Sequence, residues 1–137
     1  MSNVTPTDEK YVYDGRINIS QTDLDGKIIY VNNMFCELSG YSRDEIVGNT
    51  HAIVRHPSMP KAVFAKMWEQ LKAGRTWNGL VKNLRKDGAY YWMDLEIIPT
   101  RDDKTNEITG YISVGKPASS KDIAENEELY AKMLEAE

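Results

Sequence analysis

The chain has a single cysteine, Cys36, so it cannot close an internal disulfide, and a reducing cytoplasm is the expected setting. It has only two histidines, His51 and His56, and no His/Cys set at metal-ligand spacing, which argues against a metal site. Strongly apolar residues run for four or five positions at most, as in Ile28-Ile29-Tyr30-Val31, where a bilayer span needs about 20. The first ten residues are polar and lack the apolar stretch of a secretory signal. Basic charge is not in excess either: 17 Lys and Arg stand against 21 Asp and Glu, a net charge of −4, so nucleic acid is not an expected partner. No glycine-rich phosphate loop and no nucleophile beside a partner base can be read, so an enzyme is not expected.

What is present suits one folded domain. At 137 residues the chain is too short for two independent cores, and 41% hydrophobic against 28% charged residues argues against disorder. Residues 1–10 lack apolar periodicity and read as a mobile lead-in. Ile17 to Thr22 and Lys27 to Val31 are strand-like and flank Asp25-Gly26, a hairpin signal. Asn32 or Asn33 can cap a short helix closed by Gly40, and Ser42-Arg43-Asp44-Glu45 fits a capping box with Gly48 as the stop. Ala52 to Arg55 reads as one more turn. A longer helix is expected from Pro60 to Ala73, with Val63, Phe64, Met67, Trp68 and Leu71 on one face. Three strands follow at Trp77 to Arg85, Tyr90 to Thr100 and Glu107 to Gly115. Ser119 to Glu137 reads as a capped helix with Ile123, Tyr130, Met133 and Leu134 on one stripe. The expected class is therefore α+β: a five-stranded antiparallel sheet with short helices and one longer helix on one face, plus a C-terminal helix. Residues 11–117 form the domain and 118–137 an amphipathic connector.

Alternation divides the last three strands into faces. If Leu95 and Ile97 face the helices, Tyr91 and Met93 share that face. With Trp77, Val81 and Asn83 also inward, Gly79, Ser113 and Gly115 leave room beside one amide, which suggests a pocket. The competing reading is that Asn83 satisfies a neighbouring loop and the small residues make room for Trp77. Leu80, Leu84, Trp92, Ile112 and Val114 then form an outer apolar surface that needs the terminal segments or another chain to cover it.

These residues carry a family resemblance. Asp25-Gly26, the run from Gly40 to Gly48, and Arg85-Lys86-Asp87-Gly88 followed by Tyr91-Trp92 resemble the PAS sensory fold over roughly Tyr13 to Pro117. His51-Ala52-Ile53-Val54-Arg55-His56-Pro57-Ser58-Met59-Pro60-Lys61, with Met67-Trp68 and Val81-Lys82-Asn83, is similar to the flavin-binding PAS branch of aerotaxis receptors. The resemblance implies noncovalent FAD whose redox state, set by respiration or oxygen, is relayed to a chemotaxis-type signalling domain, in a cytoplasmic sensor or the cytoplasmic part of a membrane-attached receptor. Bare length favours a sensor fragment or a stand-alone subunit, with a homodimer through the outer sheet or terminal helices.

The resemblance places Asn83 against a flavin edge, where its amide supplies both a donor and an acceptor. Trp77 would border the ring or simply pack in the core. Arg55 and His56 would meet the phosphate or adenine arm, with a solvated loop as the alternative. His51, Val81, Met93 and Ser113 complete the candidate cofactor-binding set. Ser58 stands where that branch carries an acidic residue; either type can cap a helix. His51 occupies the position of the photoactive cysteine of light-oxygen-voltage domains, and Met93 and Gly115 replace two of their polar residues, so a light sensor is not expected. A haem-binding gas sensor and a cofactor-free dimerisation module are the competing functions.

Overall fold

The computed structural model describes residues 4–13 and 15–137, so the first three residues of the expected lead-in lie outside the described residues. Strand β1 (Asn18–Asp23) and strand β2 (Ile28–Val31) pair antiparallel across a short connection. Asp23 organises that turn by accepting from the amides of Asp25 and Lys27, and Gly26 takes the positive φ (82°) it needs. Helix α1 (Asn33–Ser39) is capped by Asn32, whose side chain accepts from the Phe35 amide, and ends at Gly40 in the left-handed conformation. Helix α2 (Arg43–Ile46) has the full reciprocal capping box of Ser42 and Glu45. A 3₁₀ turn (His51–Val54) leads to helix α3 (Lys61–Lys72). The meander β3 (Trp77–Leu84), β4 (Tyr90–Arg101) and β5 (Ile108–Pro117) follows, then helix α4 (Ser120–Glu135), capped by Ser119.

The five strands form one sheet in the order β2-β1-β5-β4-β3, antiparallel throughout, so the last strand fills the centre, between β1 and β4. Both edges are covered by backbone. Gly48 and Asn49 bond to Ile28 on the β2 edge, and the His56 amide donates to the Lys82 carbonyl on the β3 edge. α3 presents Val63, Met67 and Leu71 to a core with Trp77, Tyr91 and Ile97, while Ile28, Val31, Phe35, Tyr41, Ile46 and Val54 form a second cluster.

The outer face is covered from two sides at its β3–β4 half. Thr7 and Tyr11 donate backbone bonds to Gly88 and Tyr90, so the lead-in pairs with the sheet before Tyr11. From α4, the Tyr130 ring stacks on Trp92 (6.2 Å, 22°) and its hydroxyl donates to the Leu80 carbonyl at 2.7 Å. Leu80, Leu84 and Trp92 are thereby buried, whereas Ile112 and Val114 stay half-buried. Leu134, expected on the packed stripe of α4, is turned outward. Ser58 does not cap α3. Pro60 is the cap residue and gives no side-chain bond; the amides of Lys61 and Ala62 donate instead to the Glu137 carboxylate, at 3.1 and 3.0 Å.

Candidate functional site

Between the inner face of the sheet, the 3₁₀ turn and α3 lies a cavity of about 310 Å³. Its floor is made of alternate strand residues: Asn18 and Ser20 from β1, Val81 and Asn83 from β3, Leu95 and Ile97 from β4. Ser113 and Met93 complete it, and Phe35, His51, Phe64, Met67 and Trp68 form the opposite wall. Leu95 is only half-buried although it lies in the middle of the sheet, because it borders this space. Gly26 belongs to the lining, and Asp25, Thr50 and Arg55 are the lining residues most open to solvent, which puts the mouth between the β1–β2 turn and the 3₁₀ turn.

The polar groups of this apolar chamber are few and oddly partnered. The amide nitrogens of Asn18 and Asn83 both point at the Met93 sulfur, at 3.5 and 3.6 Å. Ser20 Oγ and His51 Nε2 are 2.9 Å apart, and either can donate. Burial, followed by the charge of Arg55, pushes the His51 pKa down to about 4, so the imidazole is neutral at pH 7. The Arg55 guanidinium lies over the Phe64 ring, 3.8 Å from its centroid, with no ion pair among the described residues. Burial lowers its pKa, yet a guanidinium stays charged near neutral pH. Tyr91 pairs with Asn83 across β3 and β4. Its hydroxyl is buried without a hydrogen-bond partner among the described residues, and burial, partly offset by Asn83, raises its pKa well above the usual range.

Six of the eight residues named from sequence line the cavity: Asn83, Arg55, His51, Val81, Met93 and Ser113. An antiparallel bridge between Arg55 and Asn83 puts these two side chains on one face. The same bridge turns His56, the next residue, to the other side. His56 packs edge-on to Tyr90 (6.5 Å, 83°) and lies outside the lining. Its Nδ1 accepts from the Ser58 amide at 3.1 Å, which leaves the proton of the neutral ring on Nε2. Burial and then Lys82 push its pKa down to about 4. Trp77 is also outside the lining: it folds over Gly79, where a Cβ would stand 2.5 Å from the ring, and packs in the core. Cys36 is half-buried against the second cluster, away from the cavity.

Asn18 and Ser20 were not legible as site residues. On β1 the apolar set is Ile17 and Ile19, so alternation read alone puts the polar set outward. The register with β5, Asn18 opposite Gly115 and Ser20 opposite Ser113, is what carries them inside. Phe64, Met67 and Trp68 were legible as one face of α3, though as core rather than cavity wall.

A family model described as "PAS domain" matches residues 17–124. The aerotaxis receptor of Escherichia coli (strain K12) is 45% identical over 112 residues, which are 82% of this chain and 22% of that protein. A nitrogen fixation regulatory protein of Klebsiella oxytoca is 29% identical over 79% of this chain and 22% of its own length. The chain thus spans about a fifth of these relatives. Among solved structures, the light state of the blue-light photoreceptor Aureochrome1 LOV superposes with a TM-score of 0.72 at 26% identity, covering 80% of this chain and 91% of that one. A light-oxygen-voltage domain studied with a flavin analogue superposes with a TM-score of 0.68 at 28% identity, covering 82% of this chain and 85% of that one.

Proposed function

The chain belongs to the PAS domain family, and from that membership we propose that it is a flavin-binding redox sensor, holding FAD without a covalent bond and relaying its oxidation state to a chemotaxis-type signalling domain. The observation that carries the reading is the Asn83 amide lining an apolar cavity with its nitrogen aimed at a thioether, the Met93 sulfur, rather than at an oxygen acceptor. A thioether is a weak acceptor, so this amide fits a ligand edge of alternating carbonyl and N–H groups better than it fits its protein partner. Flavin would supply reversible electron uptake.

The chain's residues divide the work. Asn83 orients the ring edge, Val81 and Met93 give it an apolar floor, and Ser113 adds a hydroxyl. His51, neutral and tied to Ser20, adds polarity without charge and offers no thiol for a light-driven adduct. A cavity of about 310 Å³ is at the small end of the roughly 300 to 1,000 Å³ used for ligands, so it suits the ring system and sends the phosphate arm out through the mouth, where Arg55 offers a cation. His56 and Trp77 support the site without touching the ligand in this reading. The haem alternative is the weaker one, because His51 Nε2 is bonded to Ser20 and His56 faces away from the cavity.

The relatives named as receptors and regulators support a sensory rather than an enzymatic role. Among the described residues no helix is long and apolar enough to cross a membrane. The cytoplasmic side, a homodimer and an output domain on a longer receptor complete the proposal. A reductive titration tests it: dithionite should bleach flavin bands, air should restore them, and proteolysis near α4 should change between the two states. A Soret band, or flavin bands whose reduction leaves cleavage unchanged, would count against it.

A further inference from the structure

Asn18 is 3% exposed, and the Met93 sulfur is the one hydrogen-bond partner its side chain has among the described residues. The same sulfur is the partner of the Asn83 amide nitrogen, so the two nitrogens are at most about 7 Å apart although they come from strands on either side of the β5–β4 pair. Gly115 makes this possible. It lies directly opposite Asn18, and a Cβ there would collide with the Met93 methyl. A core position chosen for stability alone would carry an aliphatic side chain, because a buried amide bonded only to a thioether recovers little of its lost hydration. Methionine is also the most adaptable apolar side chain, able to change rotamer and leave both amides to a stronger partner.

We propose that Asn18 is a second ligand-recognising amide of this cavity, working with Asn83, and that the pair selects a flat heteroaromatic ring with hydrogen-bonding atoms along its edge. The proposal rests on the flavin reading and adds a recognition residue from β1. It explains why the inner face of β1 is polar in an apolar chamber: Asn18 is there for the ligand and is dispensable for folding.

The test uses the full chain with FAD, FMN and riboflavin as probes, and follows binding by flavin fluorescence and visible absorption. Asn18→Leu, which keeps the shape and removes the polarity, should weaken FAD about tenfold or more and shift the visible band. Its urea midpoint without added flavin should match or exceed that of the parent, which a structural amide would not allow. Asn18→Ser gives a second, smaller variant with the same expected direction in affinity. Unchanged affinity and spectrum in both variants would overturn the role of Asn18 while leaving flavin binding intact. A lowered urea midpoint with unchanged affinity would overturn it too, by showing a purely structural amide. Failure of the parent chain to bind any of the three probes would overturn the flavin reading and this proposal with it.

Discussion

Two amides, two histidines and one arginine are the nitrogen-bearing polar side chains in and beside the cavity. Asn83→Ala should lower flavin affinity by about 1 to 3 kcal/mol while the domain still folds, measured as flavin released per mole of purified protein. The histidines set a pH dependence. Both have folded-state pKa values near 4 against an ordinary 6.5, so the unfolded chain takes up protons first as pH falls. Their stabilisation is complete above about pH 6.5 and is lost on the way down to about pH 4. The carboxyls of Glu45, Asp87, Asp102 and Glu137 are held below their usual values, so the two glutamates begin to add to the loss as pH falls through about 4.5 and the two aspartates lower still. Thermal melts from pH 7 to 4 should therefore show a falling Tm that is flatter in His51→Gln/His56→Gln. Blue light should give fluorescence and photoreduction with added donors but no long-lived adduct, since the one thiol, Cys36, is outside the cavity. An adduct lost in Cys36→Ala would contradict this.

At the scale of elements, α4 is fastened at two points. Tyr130 holds the outer face through Trp92 and the Leu80 carbonyl, and Glu137 holds the start of α3. Tyr130→Phe should cost about 1 kcal/mol for the lost hydrogen bond. Tyr130→Ala, which also uncovers Trp92, should cost about 3 kcal/mol or more in chemical unfolding. The helices were largely readable because their caps are written locally: Asn32, Gly40, Ser42 with Glu45, and Ser119 all act within one turn. Alternation likewise separated Asn83 and Val81 from Leu80 and Leu84. What escaped was set by distant pairing. The β1–β5 register brings Asn18 and Ser20 inside, the Arg55–Asn83 bridge turns His56 out, and the cap of α3 comes from a residue 75 positions away in sequence rather than from Ser58. Trp77 has the inward orientation alternation gives it, but Gly79 lets it lie flat and short of the cavity.

For the molecule as a whole, one sheet carries the cavity on its inner face and two kinds of surface on its outer face. The β3–β4 half is closed by α4 and the N-terminal segment, so a lysine at Leu84, 2% exposed, would damage the fold rather than probe an interface. The β5 half is open at Ile112 and Val114. Ile112→Lys should keep flavin content near that of the parent and shift self-association toward monomer in sedimentation; an unchanged oligomeric state would move the partner surface to the terminal helix. The redox-sensing role depends on the cavity being a flavin site. The most direct measurement is the cofactor released from purified, denatured protein, separated by chromatography and counted against chain. Close to one FAD per chain is the expected result. A chain that releases no flavin and shows no saturable binding when titrated with FAD or FMN would contradict it.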